Sequence, residues 1–287
     1  MNANPTLSLN PVSDVRELLS FPFMVNALEA GTIVAVLAAL VGWYMVLRRQ
    51  SFAGHTLSVM AFPGATGAAL AGLPTSLGYY LACTIAALAL GRSSDYAERG
   101  RGSQTAVIGT VQTVGLAAGF LFLSLNQAVL GGPETLLFGT FVGVTRGQVL
   151  LLLIVAAVAL GALAMLARPL IFATLDREVA RARGVPVGLL DGGFLLILAL
   201  AIAATSQVTG ALLVFALLVA PPASAQLVTM RPVVGLALSV CFALVIVWLG
   251  LGIAYFSIYP VGFYITTFAF GLYVLLRAGR WVLRSRR

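Results

Sequence analysis

The sequence predicts an all-α, polytopic membrane protein of about nine transmembrane helices, with its N-terminus outside and its C-terminus in the cytoplasm. Three observations carry this. Of the 287 residues, 60% are hydrophobic and 9% charged, where a soluble domain carries roughly 25% charged residues. The apolar residues gather into runs near the roughly 20 residues that a helix needs to cross a bilayer. Fifteen of the seventeen arginines follow odd-numbered runs.

In order, the apolar segments lie at 23–47, 55–72, 76–91, 104–125, 148–167, 189–206, 209–229, 233–256 and 261–281. Arg48 and Arg49 follow the first; Arg92, Arg99 and Arg101 the third; Arg168, Arg177, Arg181 and Arg183 the fifth. Arg231 follows the seventh, and five more arginines from Arg277 onward close the ninth. Only Arg16 and Arg146 fall on the other side. Basic residues near span ends stay in the cytoplasm, which sets the orientation. Residues 1–22 are then an extracytoplasmic segment without the basic start and apolar core of a signal peptide, and 23–287 a single transmembrane domain.

The second segment holds the single histidine, His55, in a stretch rich in small residues from Gly54 to Gly72. Small side chains let helix backbones approach closely, so this helix is expected inside the bundle. Helical spacing puts Ser58 and Thr66 on the face of His55, which makes the three a candidate lining of a translocation path. Glu29 is an ionisable group inside the first span and a second candidate for metal contact. Asp191 reads as a helix-start acid at the cytoplasmic face.

Two connections stand out. Between the fourth and fifth spans, Glu134 precedes an apolar run, Thr135 to Val144, too short to cross, which reads as a re-entrant or interfacial piece. Between the fifth and sixth, Asp176 to Arg183 forms a short helix by propensity, acids first and arginines last, with Gly184 as its stop. It reads either as a solvated surface turn or as a docking helix for a cytoplasmic partner.

All 17 basic residues are arginine, and the absence of lysine excludes a P-loop in this chain. The net charge of +8 belongs to membrane orientation and not to nucleic acid. Cys83 and Cys241 lie far apart in apolar surroundings and have no metal-like spacing.

Three stretches in register resemble the permease subunits of bacterial ABC importers for zinc, manganese and iron. They are Phe23 to Gly54, with Arg48-Arg49-Gln50-Ser51-Phe52-Ala53-Gly54 at its end; Asp176 to Val185; and Gly210-Ala-Leu-Leu-Val through Pro221-Pro222-Ala223-Ser224-Ala225. The resemblance implies a homodimeric permease in the bacterial plasma membrane that itself catalyses nothing and binds no permanent cofactor. Its implied partners are cytoplasmic ATPase subunits, an extracytoplasmic metal-binding protein, and the membrane lipid. It implies that Asp176, Glu178, Arg181 and Gly184 couple to the ATPase, and that the transported cargo is a divalent metal ion, zinc or manganese first. Two positions depart from the family: His55 stands where an aspartate is usual, and Val59 where a histidine is usual. Leu137-Phe138-Gly139-Thr140 likewise ends without the family's aspartate. A permease for a metal chelate is the alternative within this class, since a ligand-poor path suits a pre-complexed cargo. A stand-alone ion-coupled carrier is the alternative outside it, and would need more membrane acids for coupling than Glu29 and Asp191.

Overall fold

A computed structural model describes residues 11–97, 101–126, 139 and 141–285. Among these residues, nine helices of 18 residues or more overlap the nine apolar segments, but the candidate membrane spans number six where nine are expected. They are α2 (Pro22–Leu47), α3 (Ser51–Leu70), α4 (Thr75–Ala97), α5 (Arg101–Leu125), α6 (Arg146–Leu175), α8 (Val187–Thr209), α9 (Ala211–Val228), α10 (Pro232–Tyr255) and α11 (Val261–Ser285). Two short helices complete the fold: α1 (Pro11–Ser20) and α7 (Arg177–Ala182). Six of the long helices, α2, α5, α6, α8, α10 and α11, are long and apolar enough to cross a membrane by length and composition.

Two of the remaining long helices run through the interior. Helix α3 is diluted by Ser51, His55, Thr56, Ser58 and Thr66 and by its glycines, and it does not need a lipid-compatible face. It is wrapped by α4, α5, α8 and α9. Helix α9 is the shortest of the nine, at 18 residues, and carries Pro221 and Pro222 inside the helix with both buried. Proline leaves carbonyls without their usual donor, a cost tolerated where protein surrounds the helix or water reaches it.

Local chemistry sets the ends. Pro22 and Pro232 stand in the first turns of α2 and α10, where a missing N–H costs nothing. Thr145 and Gln148 form a reciprocal capping box at the start of α6. Gly210 has φ +76° and breaks the chain between α8 and α9, a conformation that disfavours any Cβ.

Helices α2, α3, α8 and α9 form the centre of the bundle. α2 packs on α10, α9, α6 and α8, while α4 packs on α3 and α8. At the α3–α4 seam, Gly64 and Gly78 face each other: a Cβ on Gly64 would lie 2.5 Å from Ala82 Cβ and 2.9 Å from Gly78 C, and one on Gly78 2.7 Å from Ala68 Cβ. This is the close helix approach expected from the small residues of the second segment.

The arginine-bearing ends gather at one end of the bundle. The Arg280 guanidinium donates to Leu227 O (3.1 Å), Gln226 Nε2 donates to Trp43 O (3.0 Å), and Arg48 meets Arg177 through Asp191. At the other end, Tyr255 Oη donates to Glu17 (3.3 Å). Glu134 and most of the expected re-entrant stretch lie outside the described residues. Of that stretch, Phe141–Gly143 form a 3₁₀ turn against α2, and Asn26 Nδ2 donates to Val144 O (3.2 Å).

Candidate functional site

The corner between α2 and α3, at the arginine-rich end, is where the candidate residues begin. Arg48 closes α2, its N–H donating to Tyr44 O at 2.9 Å, and Gln50 N returns to Met45 O at 3.0 Å. Arg49 makes the reversal with φ +57°, the single non-glycine positive φ among the described residues. A Cβ on Gly54 would collide with Met45 Sδ, so the first turn of α3 closes tightly on the last turn of α2. His55 follows at once and inherits its position from this corner.

His55 is half-buried. Its ring packs on Phe215 of α9, with centroids 4.7 Å apart and planes at 58°. Nδ1 is buried and meets no hydrogen-bond partner among the described residues. An imidazole nitrogen in that condition is costly to leave idle and is chemically free to accept a proton or a cation. Ser58 and Thr66 are fully buried on the same helix, but their hydroxyls turn back on it: Ser58 Oγ donates to His55 O (2.7 Å) and Thr66 Oγ1 to Phe62 O (3.1 Å).

Glu29 lies elsewhere. It is exposed, in the N-terminal half of α2, and borders an apolar groove formed with Leu18, Leu28, Val149, Leu153 and Trp248. Nineteen residues separate it from Arg48, about 28 Å of helical rise. His55 is only four residues into α3, about 6 Å from the same corner. Glu29 and His55 therefore sit roughly 20 Å apart along the bundle and cannot share an ion. Among the described residues, no group of three or more His, Cys, Asp or Glu side chains is placed to hold a metal.

The stretch Asp176 to Gly184 forms the short helix its sequence expects. Asp176 caps α7, its Oδ1 accepting from Val179 N at 2.9 Å. Glu178 occupies the first turn and Arg181 the last, and both are exposed. Ala180 between them is fully buried and seats the helix on the bundle. Gly184 ends the segment with φ +79°, Val185 N reaching back to Ala180 O at 3.0 Å. This is a helix with one face held by the protein and one charged face turned out.

Asp191 is the residue that sequence reasoning placed wrongly. It does not cap α8; it is the fifth residue of that helix, 3% exposed, and accepts from two arginines. Oδ1 meets Arg48 Nη2, and Oδ2 accepts from Arg177 Nη2 at 2.7 Å. Arg48 also donates to Thr174 Oγ1 (3.3 Å), and its Cζ lies 5.3 Å from the centroid of the Phe194 ring. Burial lowers the pKa of the Arg48 guanidinium, and the charge of Asp191 opposes that shift. The available signal was an acid inside an apolar run with arginines at the same expected end.

A multi-pass helical bundle with a proline-bearing interior helix, a short charged helix at its arginine-rich end and no lysine for a P-loop has the build of a membrane permease. The chain belongs to the ABC 3 transport family, whose model matches residues 20–279. It is similar to the manganese transport system membrane protein MntC of Halalkalibacterium halodurans, at 30% identity over 84% of this chain and 81% of that one. It is similar to the chelated iron transport system membrane protein YfeC of Yersinia pestis, at 31% identity over 75% and 73%. Its fold matches a chain of PsaBC from Streptococcus pneumoniae, solved in complex with Fab, with a TM-score of 0.80 at 24% identity over 92% of this chain and 94% of that one.

Proposed function

We propose that the chain is the permease subunit of an ATP-driven importer of a divalent transition metal, manganese or iron before zinc. The observation that carries this is the likeness, over most of both chains, to membrane proteins named for manganese and chelated iron transport. In this reading the chain works as a homodimer with separate ATPase subunits, which dock on Glu178 and Arg181 of α7, and with an extracytoplasmic metal-binding protein that delivers the ion. His55 is a transient ligand near the inner end, Ser58 and Thr66 line the path when α3 parts from its neighbours, and Glu29 acts separately near the outer end. A single imidazole holds an ion weakly, which suits a carrier that must release its cargo.

The stand-alone carrier fits poorly. Its coupling would draw on Asp191, whose two carboxylate oxygens are each engaged by an arginine. The chelate reading keeps one supporting observation, the absence of a three-ligand cluster among the described residues. Lipid vesicles holding this chain and its ATPase test the proposal. ATP-dependent uptake of manganese or ferrous ion, strengthened by the binding protein, is expected. Uptake driven by an ion gradient without ATP would overturn it, and uptake of iron only when chelated would select the second reading.

A further inference from the structure

The buried charge cluster at the arginine-rich end adds little net stability over apolar packing of the same volume, although losing one member would be costly. Taking charged groups out of water costs about as much as their attraction returns, so such a pair contributes little net stability and is better understood as fixing a geometry. The geometry here is specific. One carboxylate gives one oxygen to Arg48 at the α2–α3 corner and the other to Arg177, the first residue of α7. The Arg48 side chain is 6% exposed and is held further by Thr174 near the end of α6 and by the face of Phe194, so it has no freedom of its own. The Arg177 side chain is 47% exposed and stands on the helix that turns its charged face outward.

From this we infer that Asp191 is the positioning residue through which a movement of α7 reaches the α2–α3 corner, and with it His55. A displacement of α7 pulls Arg177, Arg177 carries the Asp191 carboxylate, and the carboxylate carries Arg48. Beyond Arg48, Arg49 turns the chain with φ +57° and Gly54 of α3 lies against Met45 of α2, so the two helix ends meet directly. Displacement at Arg48 therefore passes into the first turn of α3, where His55 stands against Phe215. In this inference Arg177 and Asp191 act through what they hold. The inference rests on the importer reading above.

Arg177→Gln is the decisive variant, since Asp191→Asn leaves Arg48 buried without its partner and risks the fold, whereas Arg177 is half in water. The chain and its ATPase are reconstituted together in lipid, and metal uptake and ATP hydrolysis are read from the same vesicles. With Arg177→Gln, the metal carried per ATP is expected to fall roughly tenfold, the scale of a lost charge-assisted hydrogen bond, and Arg177→Lys should recover part of it. A second reading excludes a merely structural role. A spin label at Arg49→Cys, in a chain whose exposed Cys241 is replaced by serine, should shift on nucleotide addition, and this shift should vanish in Arg177→Gln. An unchanged ratio together with an unchanged shift overturns the role of the cluster alone. Absence of ATP-dependent uptake in the unmodified complex overturns the importer reading, and the cluster's role with it.

Discussion

The α3–α4 seam offers the sharpest test of how the bundle is built. Gly64→Ala places a methyl 2.5 Å from Ala82 Cβ and 2.9 Å from the carbonyl carbon of Gly78, against 3.4–4 Å for ordinary contact. The obstacle includes backbone, which cannot rotate away, so α4 must withdraw by roughly 1 Å along the seam, forfeiting a quarter to a half of the dispersion attraction of each affected pair. Overpacking of this kind costs about 1–3 kcal/mol. Gly78→Ala meets Gly64 from the other side and should cost a similar amount, and the pair should cost less than the sum because one withdrawal serves both. Gly161→Ala in α6 is the control, since a Cβ there meets nothing within 4 Å. Thermal unfolding in detergent, followed by the monodisperse fraction on size exclusion, reads the effect. Gly64→Ala and Gly161→Ala with equal midpoints would refute the close-approach argument.

Four further outcomes are expected. His55→Ala should slow metal uptake without lowering the folded amount, and His55→Asp should partly restore it; the loss should be steeper at neutral than at acidic pH, because protonated imidazole cannot bind a cation. Equal uptake by the unmodified chain and the His55→Ala variant across that range would make the residue structural. Since Glu29 lies roughly 20 Å from His55 along the bundle, the losses from Glu29→Gln and His55→Ala should multiply, and a double variant no worse than either single one would argue for a shared ion. Glu178→Arg and Arg181→Glu should each uncouple hydrolysis from transport, and unchanged uptake at equal expression would remove α7 from the docking surface. A reporter fused after Arg287 should be active only in its cytoplasmic form and one placed after Asn126 only in its external form; both on one side would overturn the orientation.

Much of the fold was legible because the signals were local. The segment read as 55–72 is helix Ser51–Leu70, and that read as 233–256 is Pro232–Tyr255, since apolar length and the flanking arginines act within a few residues. Helix α1 escaped because it is ten residues long and alternates Asp14, Arg16 and Glu17 with apolar positions, so no length rule for spans registers it. The burial of α3 was legible from its small residues, but the inward turn of the Ser58 and Thr66 hydroxyls was not. A hydroxyl on a helix face can serve an ion or its own carbonyls equally well by spacing, and packing decides.

The site divides along the same line. Asp176 to Gly184 could be read because a cap, a charge gradient and a positive-φ glycine are all contained in nine consecutive residues. Asp191 could not, because its nearer arginine in sequence is 14 positions away and its more buried one 143. A helix-start acid and a buried acid five residues into the helix look alike until the partner helix is placed. What separates them is energetic: an ionised carboxylate 3% exposed requires countercharge, and two arginines at the same expected end of the bundle were the residues that could supply it. An acid in an apolar segment is thus better read by asking which basic ends can reach it than by its distance from the helix start. Applied to Glu29, the same question gives the opposite answer. Arg146, the basic residue that opens α6, is itself exposed, and Glu29 remains exposed beside an apolar groove.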